Sequence, residues 1–153
     1  MRRFLNSFRF AARGVALCLR ERNFRFHLAL GIYMYTYLLA YDWFVLSRAA
    51  WGVLAACTAL VLAAEAFNTA IEIVVDLVSP ARHPLAAKAK DAAAGAVLLC
   101  AAGAFAAGIV LLWQPAAFAA LVSYYKTHPA MLGVLATSLA GAAAFVFAPK
   151  KQN

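Results

Sequence analysis

Glu65, Asn68, Glu72 and Asp76 stand three, four and four residues apart in AAEAFNTAIEIVVD, residues 63–76, a segment that is otherwise almost wholly apolar. On a helix all four side chains project from one face. Three carboxylates and an amide on one stripe can hold a divalent cation, orient a hydroxyl or accept a proton. An ionisable group at the centre of a membrane helix costs roughly 2.5–3.5 kcal/mol on insertion scales, and such groups usually face protein or water. A helix rises about 16 Å from Glu65 to Asp76, so the stripe connects the inside of a bilayer to its boundary.

Of the six acids, Glu21, Glu65, Glu72, Asp76 and Asp91 are expected to meet near one set of helix ends, facing arginines, lysines and His83; only Asp42 lies elsewhere. Carboxylates opposite cations suit a divalent cation bound together with a polyphosphate. A metal-bound nucleotide is therefore the ligand that the chemistry favours. The competing reading is a set of ion pairs between these acids and Arg22, Arg25, Lys88 or Lys90 that merely join helices.

The elements that must position these groups are membrane helices. Of the 153 residues, 66% are hydrophobic and 13% charged, against about 25% charged in a soluble domain. Residues 28–41, 49–64, 92–125 and 127–149 carry no Asp, Glu, Lys or Arg. The expected architecture is all-α: an amphipathic surface helix over 1–25, a three-helix transmembrane core over 26–113, and an extension over 114–153 with a fourth span near 130–148. The first span is expected over 26–46, the second over 49–78 and the third from Leu85 to Trp113, with an interfacial piece at 116–129.

In the surface helix, Arg2, Arg9, Arg13 and Arg20 share one side, and Phe4, Phe8, Ala11, Val15 and Leu19 the other, as in a helix lying on anionic lipid. The net charge of +8 lies mainly in residues 2–25, the loop 82–90 and Lys150 and Lys151. These segments belong on the cytoplasmic side by the positive-inside rule. A cleavable signal peptide is not expected, because arginines crowd the start and no small-residue cleavage site follows the first apolar run. Cys18, Cys57 and Cys100 lack C-x-x-C spacing and read as packing residues. Gly103, Ala107, Ala136, Ala140 and Ala144 predict close helix contacts. Nucleic acid is a poor partner for so membrane-embedded a chain.

No G-x-x-x-x-G-K-[ST] loop, G-x-G-x-x-G fingerprint, G-x-S-x-G elbow or H-E-x-x-H helix is present, so a nucleotide would need another cradle, and hydrolase and zinc-enzyme readings have no support. His27 reads as a boundary residue. His83, between Arg82 and Pro84, is the better phosphate contact.

Three segments, ERNFRFH at 21–27, EAFNTAIEIVVD at 65–76 and RHPLAAKAKDAAAGAVLL at 82–99, resemble in order and spacing the prokaryotic diacylglycerol kinase and undecaprenol kinase family, over about Phe4 to Trp113. The resemblance implies a small integral-membrane kinase of the bacterial inner membrane, with three spans per subunit, working as a homotrimer with active sites shared at the cytoplasmic side of subunit interfaces. It implies that Glu65 is the general base for a lipid hydroxyl, that Glu21 and Glu72 bind Mg2+ on the ATP phosphates, and that Asn68 and Asp76 support them. Lys90 and Asp91 match nucleotide contacts, Ala81, Arg82 and His83 the loop that closes over ATP, and Arg3 an arginine near the phosphates. Between Gly14 and Glu21 the chain is one residue shorter than the family pattern, and residues 115–153 lie outside it.

The acceptor implied is a membrane lipid alcohol, undecaprenol or diacylglycerol, with the R-N-F-x-x-H wording leaning slightly to undecaprenol. A small helical ion- or proton-conducting protein would also carry a carboxylate stripe. It would need a polar path through the other half of the bilayer, where residues 49–64 offer only Trp51 and Thr58.

Overall fold

The computed structural model describes residues 2–81 and 83–149, with Arg2 and Arg3 described in their backbone alone. The described residues form six helices and no strand: α1 (Arg2–Cys18), α2 (Arg22–Ala40), α3 (Arg48–Val78), α4 (Pro84–Leu112), α5 (Pro115–Thr127) and α6 (Ala130–Phe147). Three of them, α3, α4 and α6, are long and apolar enough to cross a membrane. α2, expected as the first of four spans, has the length but not the apolarity, since Arg22, Arg25, His27 and three tyrosines dilute it.

The chain turns where local chemistry stops each helix. After Cys18, the amides of Arg20 and Glu21 bond carbonyls three residues back, Leu17 and Cys18, a tightened last turn that ends α1. Glu21 then adopts an extended backbone and starts α2. The surface helix thus stops at Cys18, and residues 22–25 belong to the helix that enters the bundle. The Ser47 hydroxyl accepts from the Ala50 amide at 3.1 Å and caps α3. His83 and Pro84 begin α4, with proline at a position where its missing N–H costs nothing.

α3 and α4 make the most extensive contact, α2 packs on α3 and on α6, and α1 touches α3. α3 is the spine. At about 1.5 Å per residue, Glu65 lies about 26 Å along α3 from Arg48, Glu72 about 36 Å and Asp76 about 42 Å. A hydrocarbon core of about 30 Å starting at Arg48 would enclose Glu65 and leave the other two acids in the headgroup layer or beyond it.

At the opposite end, α5 lies against the loop after α2. Tyr37 and Tyr125 share a hydroxyl hydrogen bond, Tyr41 stacks on Trp43, and Tyr124 meets Tyr41 edge-on and Trp43 at a tilt. Burial, and then the bond to Tyr37, push the Tyr125 hydroxyl up to about 12. The Gln114 side chain bonds both the amide and the carbonyl of Val45 at 3.0 and 3.1 Å, pinning this loop to the α4–α5 junction. Aromatic rings with polar tips suit a membrane interface.

The glycine at a close helix contact is Gly31, which was not among the small residues expected to draw helices together: an added Cβ there would meet the Thr58 methyl at 3.5 Å. Gly103, Gly133 and Gly141 face open space within the chain, and the large apolar side chains Leu98, Leu99 and Val110 of α4 are exposed. That surface is complementary to lipid or to a second apolar chain.

The cap on α3 is testable. Ser47→Ala should lower the unfolding free energy in detergent by about 1 kcal/mol; equilibrium denaturation showing no change would remove Ser47 from the reasons α3 begins there.

Candidate functional site

The buried face of α3 runs Ala50, Leu54, Val61, Glu65, Asn68, so the polar stripe continues the apolar packing stripe of the same helix. Glu65 is 2% exposed. His27, in the second turn of α2, places Nε2 3.4 Å from Glu65 Oε1. This is close enough for an ion pair but not aligned as a hydrogen bond, and Oε1 has no hydrogen-bond partner. Sequence reasoning set His27 aside as a boundary residue; the crossing of α2 over α3 brings it to the deepest carboxylate.

One turn further along, Asn68 Nδ2 donates to Glu72 Oε1 at 2.8 Å, while Asn68 Oδ1 is buried without a partner. The amide fixes the rotamer of Glu72 and keeps an acceptor in reserve. Thr69 turns back on the helix and donates to the Glu65 carbonyl at 3.0 Å. Glu21, half-buried at the start of α2, and Glu72 both lie near enough for their charges to act on Glu65. Glu21, His27, Glu65, Asn68 and Glu72 thus form one cluster built by the first turns of α2 and the second half of α3.

Asp76 belongs to a neighbouring feature. A cavity of about 510 Å³ opens between the end of α3 and the start of α4, and Asp76, Ala81, His83 and Lys90 line it. Lys90 Nζ sits 2.6 Å from Asp76 Oδ1, one of the expected cation–acid pairs. His83 Nδ1 accepts from the Leu85 amide at 3.2 Å. A neutral ring in that role carries its proton on Nε2, a donor suited to an anionic ligand. Asp91 is exposed on the next position of α4. Arg82 and the Arg3 side chain, both expected near a nucleotide, lie outside the described residues.

On the membrane side of Glu65 lies a second cavity, of about 540 Å³, between α2, α3 and α4. Leu30, Leu54, Val61, Phe105 and Trp113 line it, and His27 is at its polar end. The site therefore has an apolar approach on one side of Glu65 and a charged approach on the other.

Among the described residues, no three His, Cys, Asp or Glu side chains converge on a metal position. Cys18, Cys57 and Cys100 are free thiols. Burial and the nearby Glu21 push the Cys18 thiol up, which makes it a poor nucleophile and agrees with a packing role.

The sequence model of prokaryotic diacylglycerol kinase matches residues 9–112. A diacylglycerol kinase of Synechocystis sp. is 46% identical over 102 residues, covering 65% of this chain and 57% of that protein. An undecaprenol kinase of Bacillus subtilis is 42% identical over 98 residues, covering 63% of this chain and 77% of that protein. The chain thus spans little more than half of the Synechocystis relative. No solved structure matches it. The matched segment includes Glu21, the α3 stripe and the start of α4, and it ends with α4; α5 and α6 lie beyond it.

The Asp76–Lys90 pair is exposed enough for solvent to screen it, so a double-mutant cycle with Asp76→Asn and Lys90→Met should give a coupling of no more than about 1 kcal/mol in stability. A coupling several times larger would mean that the pair is shielded in the working protein.

Proposed function

The chain belongs to the prokaryotic diacylglycerol kinase family, and on that premise we propose that it is a membrane lipid kinase that moves the γ-phosphoryl group of ATP to the hydroxyl of a lipid alcohol. The observation that carries this reading is the position of Glu65: buried, one oxygen without a hydrogen-bond partner, and flanked by an apolar groove and a charged cluster. A lipid alcohol whose chain lies in the groove brings its hydroxyl to Glu65. A water-soluble polyphosphate reaches the same point from the side of Glu72, His83 and Lys90.

In the proposed reaction Glu65 accepts the hydroxyl proton as the lipid oxygen bonds to the γ-phosphorus, and the bond from that phosphorus to the ADP oxygen breaks. His27 beside the carboxylate helps to hold it in place. Lys90 and the Nε2–H of His83 supply positive charge and a donor to phosphate oxygens, and Ala81, Arg82, Asp91 and Arg3 complete the nucleotide contacts. Phosphoryl transfer needs mainly positioning and neutralisation of charge, and this chain's residues supply both.

Magnesium fits the donor set: Glu21 and Glu72 offer hard carboxylate oxygens, and Asn68 already orients Glu72. Two protein carboxylates are enough, because magnesium commonly completes its shell with phosphate oxygens and water. When bound, the ion would neutralise charge on the phosphates.

The acceptor reading covers both undecaprenol and diacylglycerol, since one relative is named for each. The family's shared-site homotrimer, with the N-terminus and the site on the cytoplasmic face of a bacterial membrane, is part of the proposal. The exposed apolar surface of α4 supports a neighbouring subunit there. An ion conductor is disfavoured by α3 itself: beyond Glu65 its buried face continues through Val61, Leu54 and Ala50, an apolar seal where a polar path would be required.

With magnesium and labelled ATP, the detergent-solubilised protein should phosphorylate at least one of diacylglycerol and undecaprenol offered in parallel. Glu65→Gln should reduce turnover by about 10²-fold or more, the scale of a lost general base, while nucleotide binding persists. Label in neither lipid would overturn the kinase reading, and full activity in Glu65→Gln would remove Glu65 from the chemistry.

A further inference from the structure

Arg25 is 7% exposed, yet among the described residues no acid pairs with it. Its Nη1 donates to the Phe145 carbonyl at 2.6 Å and its Nη2 to the Ala148 carbonyl at 2.8 Å. Both acceptors belong to the last turn and cap of α6, where carbonyls lack intrahelical partners and the helix dipole presents partial negative charge. The guanidinium also lies 5.7 Å from the centre of the Phe145 ring. A charge buried this far needs compensation, and α6, more than a hundred residues away in sequence, provides it.

The far end of the clamp is the catalytic cluster. The Arg25 amide bonds the Glu21 carbonyl at 3.1 Å, closing the first turn of α2, and His27 lies two residues further on. Any displacement of Arg25 moves that turn. α6 lies outside the segment that matches the family, residues 9–112, so the helix added to the kinase core ends on the first turn of α2, between Glu21 and His27.

We propose that α6 is a built-in strut for the active site and that Arg25 is a positioning residue for phosphoryl transfer, holding the start of α2, which carries Glu21, so that His27 faces Glu65. This rests on the lipid-kinase reading for its effect on catalysis, but the mechanical link between α6 and α2 stands independently of it. The clamp uses two backbone carbonyls with a planar fork, a geometry that a lysine ammonium cannot reproduce. The Arg25 Nε is buried without a partner, so the clamp rests on the two Nη bonds and the ring contact.

The test uses the full-length chain in detergent with Arg25→Met, Arg25→Lys, Phe145→Ala and, as a control on the exposed side of α6, Phe147→Ala. Hydrogen exchange is followed at residues 19–27 and 143–149, and KM for MgATP is separated from KM for the lipid and from kcat. Arg25→Met should speed exchange in both segments and raise KM for MgATP by about tenfold, the equivalent of one lost charged hydrogen bond, with the lipid KM little changed. Phe145→Ala should move the same quantities in the same direction by a smaller factor, Arg25→Lys should restore only part of the loss, and Phe147→Ala should change neither.

Faster exchange at 143–149 alone, with residues 19–27 and the MgATP parameters unchanged, would overturn the strut. Should Arg25→Met fail to fold, Phe145→Ala decides by the same readouts. A wild-type protein that phosphorylates neither lipid but shows the coupled exchange would refute the kinase reading and leave the strut standing.

Discussion

A carboxylate inside an apolar helix bundle is the constraint around which this molecule is arranged. Glu65 is nearly inaccessible, has His27 as its near neighbour, and leaves one oxygen without a hydrogen-bond partner. Such a group is costly to bury, and the surrounding chain limits that cost on one side only. Towards the aqueous end come Asn68, Glu72 and Glu21, then the Asp76–Lys90 pair; towards the membrane come Val61, Leu54 and an apolar groove. The asymmetry is what the proposed reaction between a water-soluble donor and a membrane-bound acceptor would require.

Helix lengths convert that asymmetry into depth. α3 is far longer than a hydrocarbon core needs, so one helix can hold Glu65 within the apolar layer and Asp76 outside it. The Ser47 cap and the Gln114 bonds to Val45 fix the far end of the spine. At the near end, Arg25 joins α2 to the terminal carbonyls of α6. Contacts thus lie at both ends of the bundle, on either side of the α2–α3 crossing that brings His27 to Glu65.

Much of this was legible in the chain. Charge-free runs located α3, α4 and α6, the Pro115 break separated α5 from α4, and the three-four-four spacing of Glu65, Asn68, Glu72 and Asp76 gave the polar face, because helical periodicity writes itself into side-chain identity. Other features could not be read. The amphipathic pattern continues through Arg20, so it gave no sign that α1 stops at Cys18; hydrogen bonds of the backbone end it. His27 has no periodic partner and gains meaning only where α2 crosses α3. The Arg25 clamp was illegible because its acceptors are main-chain carbonyls, which every residue possesses. The tilt of α2 and the exact reach of Lys90 are set by packing between helices, and no local spacing encodes them.

The claim that Glu65 lies where lipid and aqueous chemistry meet has a direct test. In lipid nanodiscs, carboxyl groups are labelled in parallel with a membrane-soluble and a water-soluble carbodiimide, and the modified peptides are identified by mass spectrometry. The account predicts that the membrane-soluble reagent modifies Glu65 and stops phosphate transfer, that the lipid acceptor protects against it, and that the water-soluble reagent prefers Asp76 and Asp91. Modification of Glu65 from water as readily as of Asp76, with no protection by lipid, would contradict it.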